Sequence, residues 1–532
     1  MAQTFYPDLL VANRSYLDHD TPPGEAAPRA VAGGLLAALQ NALEPSTETH
    51  DGTVWIGAAL GKHDREYVDE QGRELIARDG DYVRGHRVFV EPERWDAYYR
   101  RVANGGLWPL LHCNEVRLDQ LKEYFPTPEL SSVEDFEQFK AANRQFGEAA
   151  FDEFVRRERG PKSAWIHDYH LPFASAHLRS RLREVGRDEE ATIGYFLHTP
   201  FVNLRLFDDD LLANPDTRNF LASLLEALLA NDLLGFQSRG DADRCAEALA
   251  MLVPGVRIRQ HESGSFEAQR EGDDRITYGR AMPISIDVKA VTSSITADEP
   301  IEHVLPDGKP LREVMEGYRR EGIRVLIGLD RTDYTKGIPE RIQIVEHLLE
   351  MGERVVYLGF GAPTRPGVPA FDALVDLVRA EAERVNQKFS GSLSWEPVQF
   401  HYAFLPLSDI FRIMRDADVV LTTSLSDGLN LVPLQTAAAQ SLLPPERRHL
   451  AVAGKNTGIA RSLERFAEGG HGFVTVDPLD PPGAARRLAQ SLRADERISD
   501  ALVDYVREHD VHHWSASFLT ALRELTLGRQ AA

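Results

Sequence analysis

Short apolar runs alternate with longer amphipathic stretches along most of the chain, and many of the apolar runs end in polar side chains. Residues 8–12, DLLVA, read as a buried strand that stops at Asn13, Arg14 and Ser15. A Pro- and Asp-rich stretch follows and ends at Gly33 and Gly34, directly before the helical pattern LLAALQNAL of 35–43. Further strands are expected at 53–58, 87–90, 163–166, 192–197, 232–236 and 276–284. Residues 94–112, RWDAYYRRVANGGLWPLLH, have the pattern of a helix that turns its aromatics into the core, and 120–160 are charged and helical. After a polar, helical stretch at 289–322, a second strand series is expected at 324–329, 354–358, 397–402, 419–422, 450–452 and 472–476. Two consecutive strand-and-helix series without a long internal repeat predict an α/β fold of two Rossmann-like, doubly wound domains facing across a cleft. The boundaries fall at 1–287 and 288–500, with 501–532 as a helical C-terminal segment.

Candidate chemistry sits where the apolar runs stop. In IRVLIGLDRTDYTKGIPER, residues 323–341, an apolar strand gives way to Asp330, Arg331, Asp333, Lys336 and Gly337 before Pro339 opens a helix. Ligands of open α/β sheets bind beyond the carboxyl ends of the strands, and two cations beside a helix N-terminus form a receptor for phosphate oxygens. The same residues also suit a solvated loop in which Arg331 and Lys336 pair with Asp330 and Asp333. In LSDGLNLVPLQ, residues 425–435, Asp427 and Gly428 offer either a carboxylate with backbone N–H groups or an ordinary Asp-Gly turn. In the first series, one strand runs into His167, Asp168, Tyr169 and His170, and another into His198, Thr199, Pro200 and Phe201. Together these two ends make a better candidate site than either alone. The histidine spacing matches no standard metal signature, so no metal site is assigned.

The chain has 532 residues, enough for two or three domains, with 43% hydrophobic and 27% charged residues. Its net charge of −22 opposes general nucleic-acid binding while allowing a local cationic site. Two unpaired cysteines, Cys113 and Cys245, suggest neither a disulfide framework nor zinc. The N-terminal residues lack the pattern of a signal peptide, and no run approaches the ~18 apolar residues of a membrane span. A cytoplasmic protein without membrane attachment is expected.

The motifs Asn13-Arg14, Gly33-Gly34-Leu35, Leu107-Trp108-Pro109, Trp165-Ile166-His167-Asp168-Tyr169-His170 and Phe196-Leu197-His198-Thr199-Pro200-Phe201 are followed by Leu234-Gly235-Phe236-Gln237. Asp333-Tyr334-Thr335-Lys336-Gly337-Ile338-Pro339-Glu340-Arg341, Asp427-Gly428-Leu429-Asn430-Leu431-Val432 and His513-Trp514 come after them. In this order they resemble the trehalose-6-phosphate synthases, over about residues 8 to 520.

The resemblance implies a GT-B fold whose C-terminal helix crosses back to the first domain. It also implies transfer of glucose from a nucleotide-glucose donor to a phosphorylated acceptor, glucose 6-phosphate first among candidates, with retention and without a cofactor or required metal. On the donor side, Arg331 and Lys336 would hold the diphosphate and Asp427 the sugar hydroxyls. Gly428, Leu429, Asn430, Leu431 and Val432 would line the diphosphate and sugar, Gln435 would stand at the ribose, and Gly33 and Gly34 would close over the donor. On the acceptor side, Arg14, Tyr99, Trp108 and Arg365 would grip the acceptor, with Arg14 and Arg365 at its phosphate. Asp168 would bind acceptor hydroxyls, and His198 would orient the transferred glucose. By the same resemblance, Asp168, His198, Arg331, Lys336 and Asp427 would form the catalytic set.

The chain departs from the family pattern at Ser426, Leu434, Gln435 and Ser462, and at Val202 and Asn203. The donor base is therefore open, as is assembly as a homo-oligomer. A glucosylglycerol-phosphate synthase using glycerol 3-phosphate is an alternative, and a catalytically weak sugar-phosphate-binding regulator is another.

Overall fold

The computed structural model describes residues 6–25, 29–30, 34–46, 52–78, 81–365 and 368–531. It divides into two compact units, one built from residues up to 117, 127–284 and 512–532, the other from 118–126 and 285–511. Gly33 lies outside the described residues, while Gly34 opens the helix Gly34–Gln40.

The first unit is organised on ten strands: β1 (Leu9–Arg14), β2 (Val54–Ala58), β3 (Arg73–Arg78), β4 (Asp81–Val88), β5 (Lys162–His167), β6 (Ala191–Phe196), β7 (Leu233–Phe236), β8 (Val256–Gln260), β9 (Phe266–Arg270) and β10 (Ile276–Ala281). Their order across the sheet is β8-β9-β10-β7-β6-β5-β1-β2-β4-β3. The stretch from β10 to β4 is parallel, and β3, β8 and β9 add antiparallel edges. Leu9, Leu10, Val11, Trp165 and Ile166 are wholly buried, as expected of central strands covered on both faces. The strand expected at 87–90 is observed at Asp81–Val88, because it pairs along its length with β3. The aromatic segment is helical as its pattern suggested, but Asp96–Leu107 is a π-helix between α-helical turns. In it Asn104 Nδ2 donates to the Tyr99 carbonyl at 2.7 Å, and such widened turns recur at functional sites.

The C-terminal helix Val511–Ala531 packs on this sheet. Phe518 stacks on Trp165 with centroids 4.6 Å apart, and Trp514 lies 5.0 Å from the same ring.

The second unit holds six parallel strands: β11 (Arg324–Arg331), β12 (Val355–Ala362), β13 (Val398–Tyr402), β14 (Val419–Thr422), β15 (Leu450–Gly454) and β16 (Phe473–Val476). The order β13-β12-β11-β14-β15-β16 is the Rossmann arrangement, third-second-first-fourth-fifth-sixth, and it reverses direction between β11 and β14. The parallel part of the first sheet reverses in the same way between β1 and β5. Each unit therefore has one topological switch point, the place where open α/β sheets bind ligands.

Candidate active site

At the switch point of the second unit, the loops after β11 and β14 bring Lys336 and Asp427 together. Local chemistry explains how the first loop is built. Thr332 N–H donates to Ala362 O at 2.8 Å, continuing the ladder one residue beyond β11. Asp333 then caps the 3-10 turn Tyr334–Lys336, its Oδ1 accepting from Thr335 N at 3.1 Å and from Thr335 Oγ1 at 3.0 Å. Gly337 follows with φ +59°, and a Cβ there would stand 2.4 Å from Thr423 O, so both backbone and space demand glycine. The helix Ile338–Glu350 starts at once, with Pro339 in its first turn.

Arg341, on that helix, is 1% exposed and turns back into the loop. Its guanidinium donates to Asp330 Oδ2 at 2.6 Å, Thr423 Oγ1 at 2.9 Å and Lys336 O at 3.3 Å. It is thus a clamp that fixes the backbone carrying Lys336. Burial raises the Asp330 carboxyl above its ordinary pKa, against the opposing pull of Arg341 and Lys336.

The cations of this loop are all paired. Lys336 Nζ makes a short contact with Asp427 Oδ2. Asp333 Oδ2 lies 2.6 Å from Arg365 Nη1 and 3.6 Å from Arg331 Nη2. Burial pushes the Asp333 carboxyl up, but Arg365, Arg331 and Lys336 outweigh it and hold the group well below the usual carboxylate range. Arg365 is buried, has a left-handed backbone with φ +41°, and lies 5.0 Å from the Phe371 ring centre. The Arg331 side chain is 44% exposed and accessible to a ligand.

The Asp427 turn is locked to a second loop. Gly458 N donates to Asp427 O at 3.2 Å and Ile459 N to Leu429 O at 2.9 Å. A Cβ on Gly458 would fall 1.9 Å from Gly428 O, so the two backbones touch. Asn430 takes a left-handed conformation, φ +73°, and donates from Nδ2 to Ser424 Oγ at 3.2 Å. Its Oδ1 accepts from Val432 N at 3.1 Å, an Asx-type turn that leads into the helix Val432–Gln440. Leu431 precedes that helix; Ser426 and Leu434 are buried, and Gln435 is half-buried on its second turn.

At the switch point of the first unit, β1 ends at Arg14 and β5 at His167. Arg14 is 4.0 Å from Asp18, and its carbonyl accepts from Trp55 Nε1 at 2.8 Å. Asn13 Oδ1 accepts from Tyr98 OH at 2.7 Å. Asp168 sits just past β5 with φ +74°, a conformation that costs a non-glycine residue on the order of 1 kcal/mol. Hydrogen bonds to backbone and side chain hold it there, among them one from Leu171 N to its carbonyl at 3.1 Å. Asp168 N donates to Phe196 O at 2.8 Å, Tyr195 OH donates to its carbonyl at 2.8 Å, and His198 N donates to its Oδ1 at 3.3 Å. Tyr99 stacks between Trp95 and His170, at 4.9 and 5.7 Å, and Trp108 is buried against His112 and Tyr169.

The tautomer of His198 follows from its neighbours. Gln237 Oε1 accepts from Ile284 N at 2.9 Å, which leaves its Nε2 to face His198 Nδ1 at 3.4 Å. His198 Nδ1 is then an acceptor, and the proton on Nε2 is donated to His167 Nδ1 at 3.1 Å. Burial lowers both histidines, His198 to about 3 and His167 well below the usual range, with His198 adding to the effect on His167. Both are neutral at ordinary pH. The sequence pointed to neither Gln237, Tyr195 nor Arg341 as site residues, although Gln237 ends an apolar run just as His167 does.

Among the described residues, no group of three or more His, Cys, Asp or Glu is placed to hold a metal ion, and no helix is long and apolar enough to cross a membrane. The arrangement offers cations and backbone donors in one unit, and a strained carboxylate beside neutral imidazoles and aromatic rings in the other. Those are the groups that bind phosphates and sugar hydroxyls.

The chain resembles known proteins along its whole length. The alpha,alpha-trehalose-phosphate synthase [UDP-forming] 1 of Arabidopsis thaliana is 29% identical over 510 residues, which are 94% of this chain and 48% of that protein, so the chain spans about half of that relative. The trehalose-6-phosphate synthase of Cronobacter sakazakii is 28% identical over 531 residues, 97% of this chain and 95% of that one. Among solved structures, an alpha,alpha-trehalose-phosphate synthase (UDP-forming) of Burkholderia xenovorans in complex with glucose-6-phosphate is 26% identical. It superposes with a TM-score of 0.73 over 97% of this chain and 99% of its own. An E. coli protein bound with UDP-2-fluoro glucose gives 0.72 at 25% identity, over 97% and 98%. The family model of glycosyltransferase family 20 matches residues 11–524, and the chain belongs to that family.

Proposed function

We propose that this enzyme moves glucose from a nucleotide-glucose to glucose 6-phosphate with retention at the anomeric carbon, giving trehalose 6-phosphate. The observation that carries the reading is the constellation at the second switch point: Arg331 at the end of β11 and Lys336 in the loop after it, with Asp427 after β14, at the place where a Rossmann sheet takes its nucleotide. Breaking the glycosidic bond puts negative charge on the departing diphosphate, and two fixed cations stabilise it. Asp427, already paired with Lys336, accepts from the donor hydroxyls, while the turn of Gly428, Leu429, Asn430, Leu431 and Val432 presents backbone donors. Arg14, Tyr99, Trp108, Asp168 and Arg365 serve the acceptor. His198, neutral and with its ring nitrogens engaged by Gln237 and His167, orients the glucose and transfers no proton. The leaving phosphate oxygen accepts the acceptor's proton in a front-face attack, so the protein supplies no nucleophile. Cys113 and Cys245 are buried and not joined in a disulfide, which supports a cytoplasmic location.

The test is direct. Purified protein is incubated with UDP-, GDP- and ADP-glucose, each against glucose 6-phosphate, glycerol 3-phosphate and free glucose, and nucleotide release and product mass are recorded. Release with glucose 6-phosphate, a disaccharide-phosphate product and poor use of free glucose are expected. Preference for glycerol 3-phosphate would replace the acceptor assignment, and absence of turnover with every pair would refute the reaction.

A further inference from the structure

We infer that Asp333 is a positioning residue that sets two phosphate-binding guanidiniums, Arg331 and Arg365, against one carboxylate oxygen, so that donor and acceptor binding depend on a single buried side chain. This rests on the reading that Arg331 serves the donor diphosphate and Arg365 the acceptor phosphate.

Asp333 is fully buried, and its two oxygens have different work. Oδ1 is fixed by the backbone and hydroxyl of Thr335, within a turn that ends at Gly337. Oδ2 is thereby aimed at Arg365 Nη1, 2.6 Å away, and Arg331 Nη2, 3.6 Å away. The anchor is a rigid capped turn rather than a mobile side chain. An arginine loses much rotamer freedom when it binds a phosphate, and one already held by a fixed carboxylate has less to lose. Arg365 shows the same immobilisation in its backbone, whose left-handed φ of +41° is a conformation that persists only where surrounding contacts impose it. The two guanidiniums repel each other, and the charge of Asp333 is what allows both to approach one point. Neutralising that charge should release both arginines together, although the substrates they serve are different molecules.

The experiment is steady-state kinetics of Asp333→Asn, Arg365→Ala and the double variant in the full chain, with thermal melting alongside. Asp333→Asn keeps the shape of the side chain and an oxygen for Thr335. It is expected to raise KM for both the nucleotide-glucose and glucose 6-phosphate by at least about tenfold, the scale of a lost charge-assisted contact. In the Arg365→Ala background the added effect on the acceptor should vanish while the effect on the donor persists. A merely structural role would lower kcat through loss of folded enzyme and leave both Michaelis constants in place. A rise in only one constant, or in neither, overturns the inference. If Arg365→Ala itself leaves the acceptor constant unchanged, the assignment of Arg365 is what fails, and the inference falls with it. If Arg365→Ala raises that constant and Asp333→Asn does not, the inference alone fails. Should Asp333→Asn not fold, Thr335→Val decides: it keeps the carboxylate and removes one anchor of Oδ1, and it should raise both constants by roughly two- to fivefold. Unchanged constants in that variant overturn the inference.

Discussion

Replacing Lys336 by alanine separates a catalytic cation from a structural one, because the two roles predict different quantities. Lys336 is 9% exposed, and the Asp427 side chain with which it pairs is 16% exposed. Truncation removes the cation and leaves a largely buried carboxylate without it. Exposed pairs contribute about 0–1 kcal/mol and removal of one partner from a fully buried pair costs about 3–5, so this intermediate case should cost about 1–3 kcal/mol of stability. For the second unit, which spans residues 118–126 and 285–511, that is a fall in melting temperature on the order of 2–12 °C. If Lys336 also stabilises the departing diphosphate, the loss of one preorganised electrostatic group lowers kcat by about two to three orders of magnitude, or ~2.7–4 kcal/mol. The assay is coupled nucleotide release for kcat and KM, with calorimetry on the same preparation. A melting temperature lowered as stated, with kcat within tenfold of the unaltered enzyme, would refute the catalytic role and leave only the ion pair.

Gly458→Ala places a methyl 1.9 Å from Gly428 O and must displace the Asp427 turn, so KM for the nucleotide sugar should rise at least about tenfold with little change for the acceptor. An unchanged donor constant would show that the two loops are not coupled. His167 and His198 have folded pKa values below the unfolded value of about 6.5, so their contribution to stability is complete above pH ~6.5 and is lost as pH falls toward about 3. Each histidine should contribute a slope of up to about 1.4 kcal/mol per pH unit in that window, and His167→Phe should flatten the dependence of melting temperature on pH between 6.5 and 4.5. An unaltered slope in the variant would exclude His167 as its source. If Arg331 and Lys336 supply the positive charge at the leaving group, as proposed, EDTA should leave turnover substantially unchanged, and loss restored by one specific divalent metal would overturn that assignment.

The central parallel strands were legible because they are covered on both faces and so appear as apolar runs, as at residues 9–12 of β1 and in Val419–Thr422. The edges were not. Val256–Gln260, VRIRQ, alternates apolar and charged residues over a largely exposed face, and Arg73–Arg78, RELIAR, has only three apolar residues between charged ends; both become strands through their antiparallel neighbours. The site divides in the same way. Residues at strand ends, such as Arg331, Asp168 and His198, could be picked out locally. The partnership of Asp333 with Arg365 could not, because it depends on the register that sets Arg331 opposite Ala362 and so carries the loop after β12 to the loop after β11. Gln237 is visible as a polar residue after an apolar strand, but its hold on His198 arises only because β6 and β7 lie side by side.

For the loop after β11, the sequence allowed either an ion-paired segment or an anion receptor; the structure shows the ion pairs, and those pairs are compatible with the proposed receptor. Lys336 and Arg365 are each 9% exposed, and a cation removed from water to that degree stays charged and fixed only beside a counter-charge. Asp427 and Asp333 supply those charges, and Arg341 fixes the carbonyl of Lys336 from behind. On the proposed reading, a diphosphate bound here would meet cations whose desolvation and side-chain ordering were completed on folding, so more of its attraction to them would be realised as binding and as stabilisation of the leaving group. Arg331, half-exposed and 3.6 Å from Asp333, is held least tightly of the three and is the cation a ligand can draw in furthest. On that reading the ion pairs are the means by which this acidic chain, with its net charge of −22, would hold several cations in fixed positions at one end of one sheet.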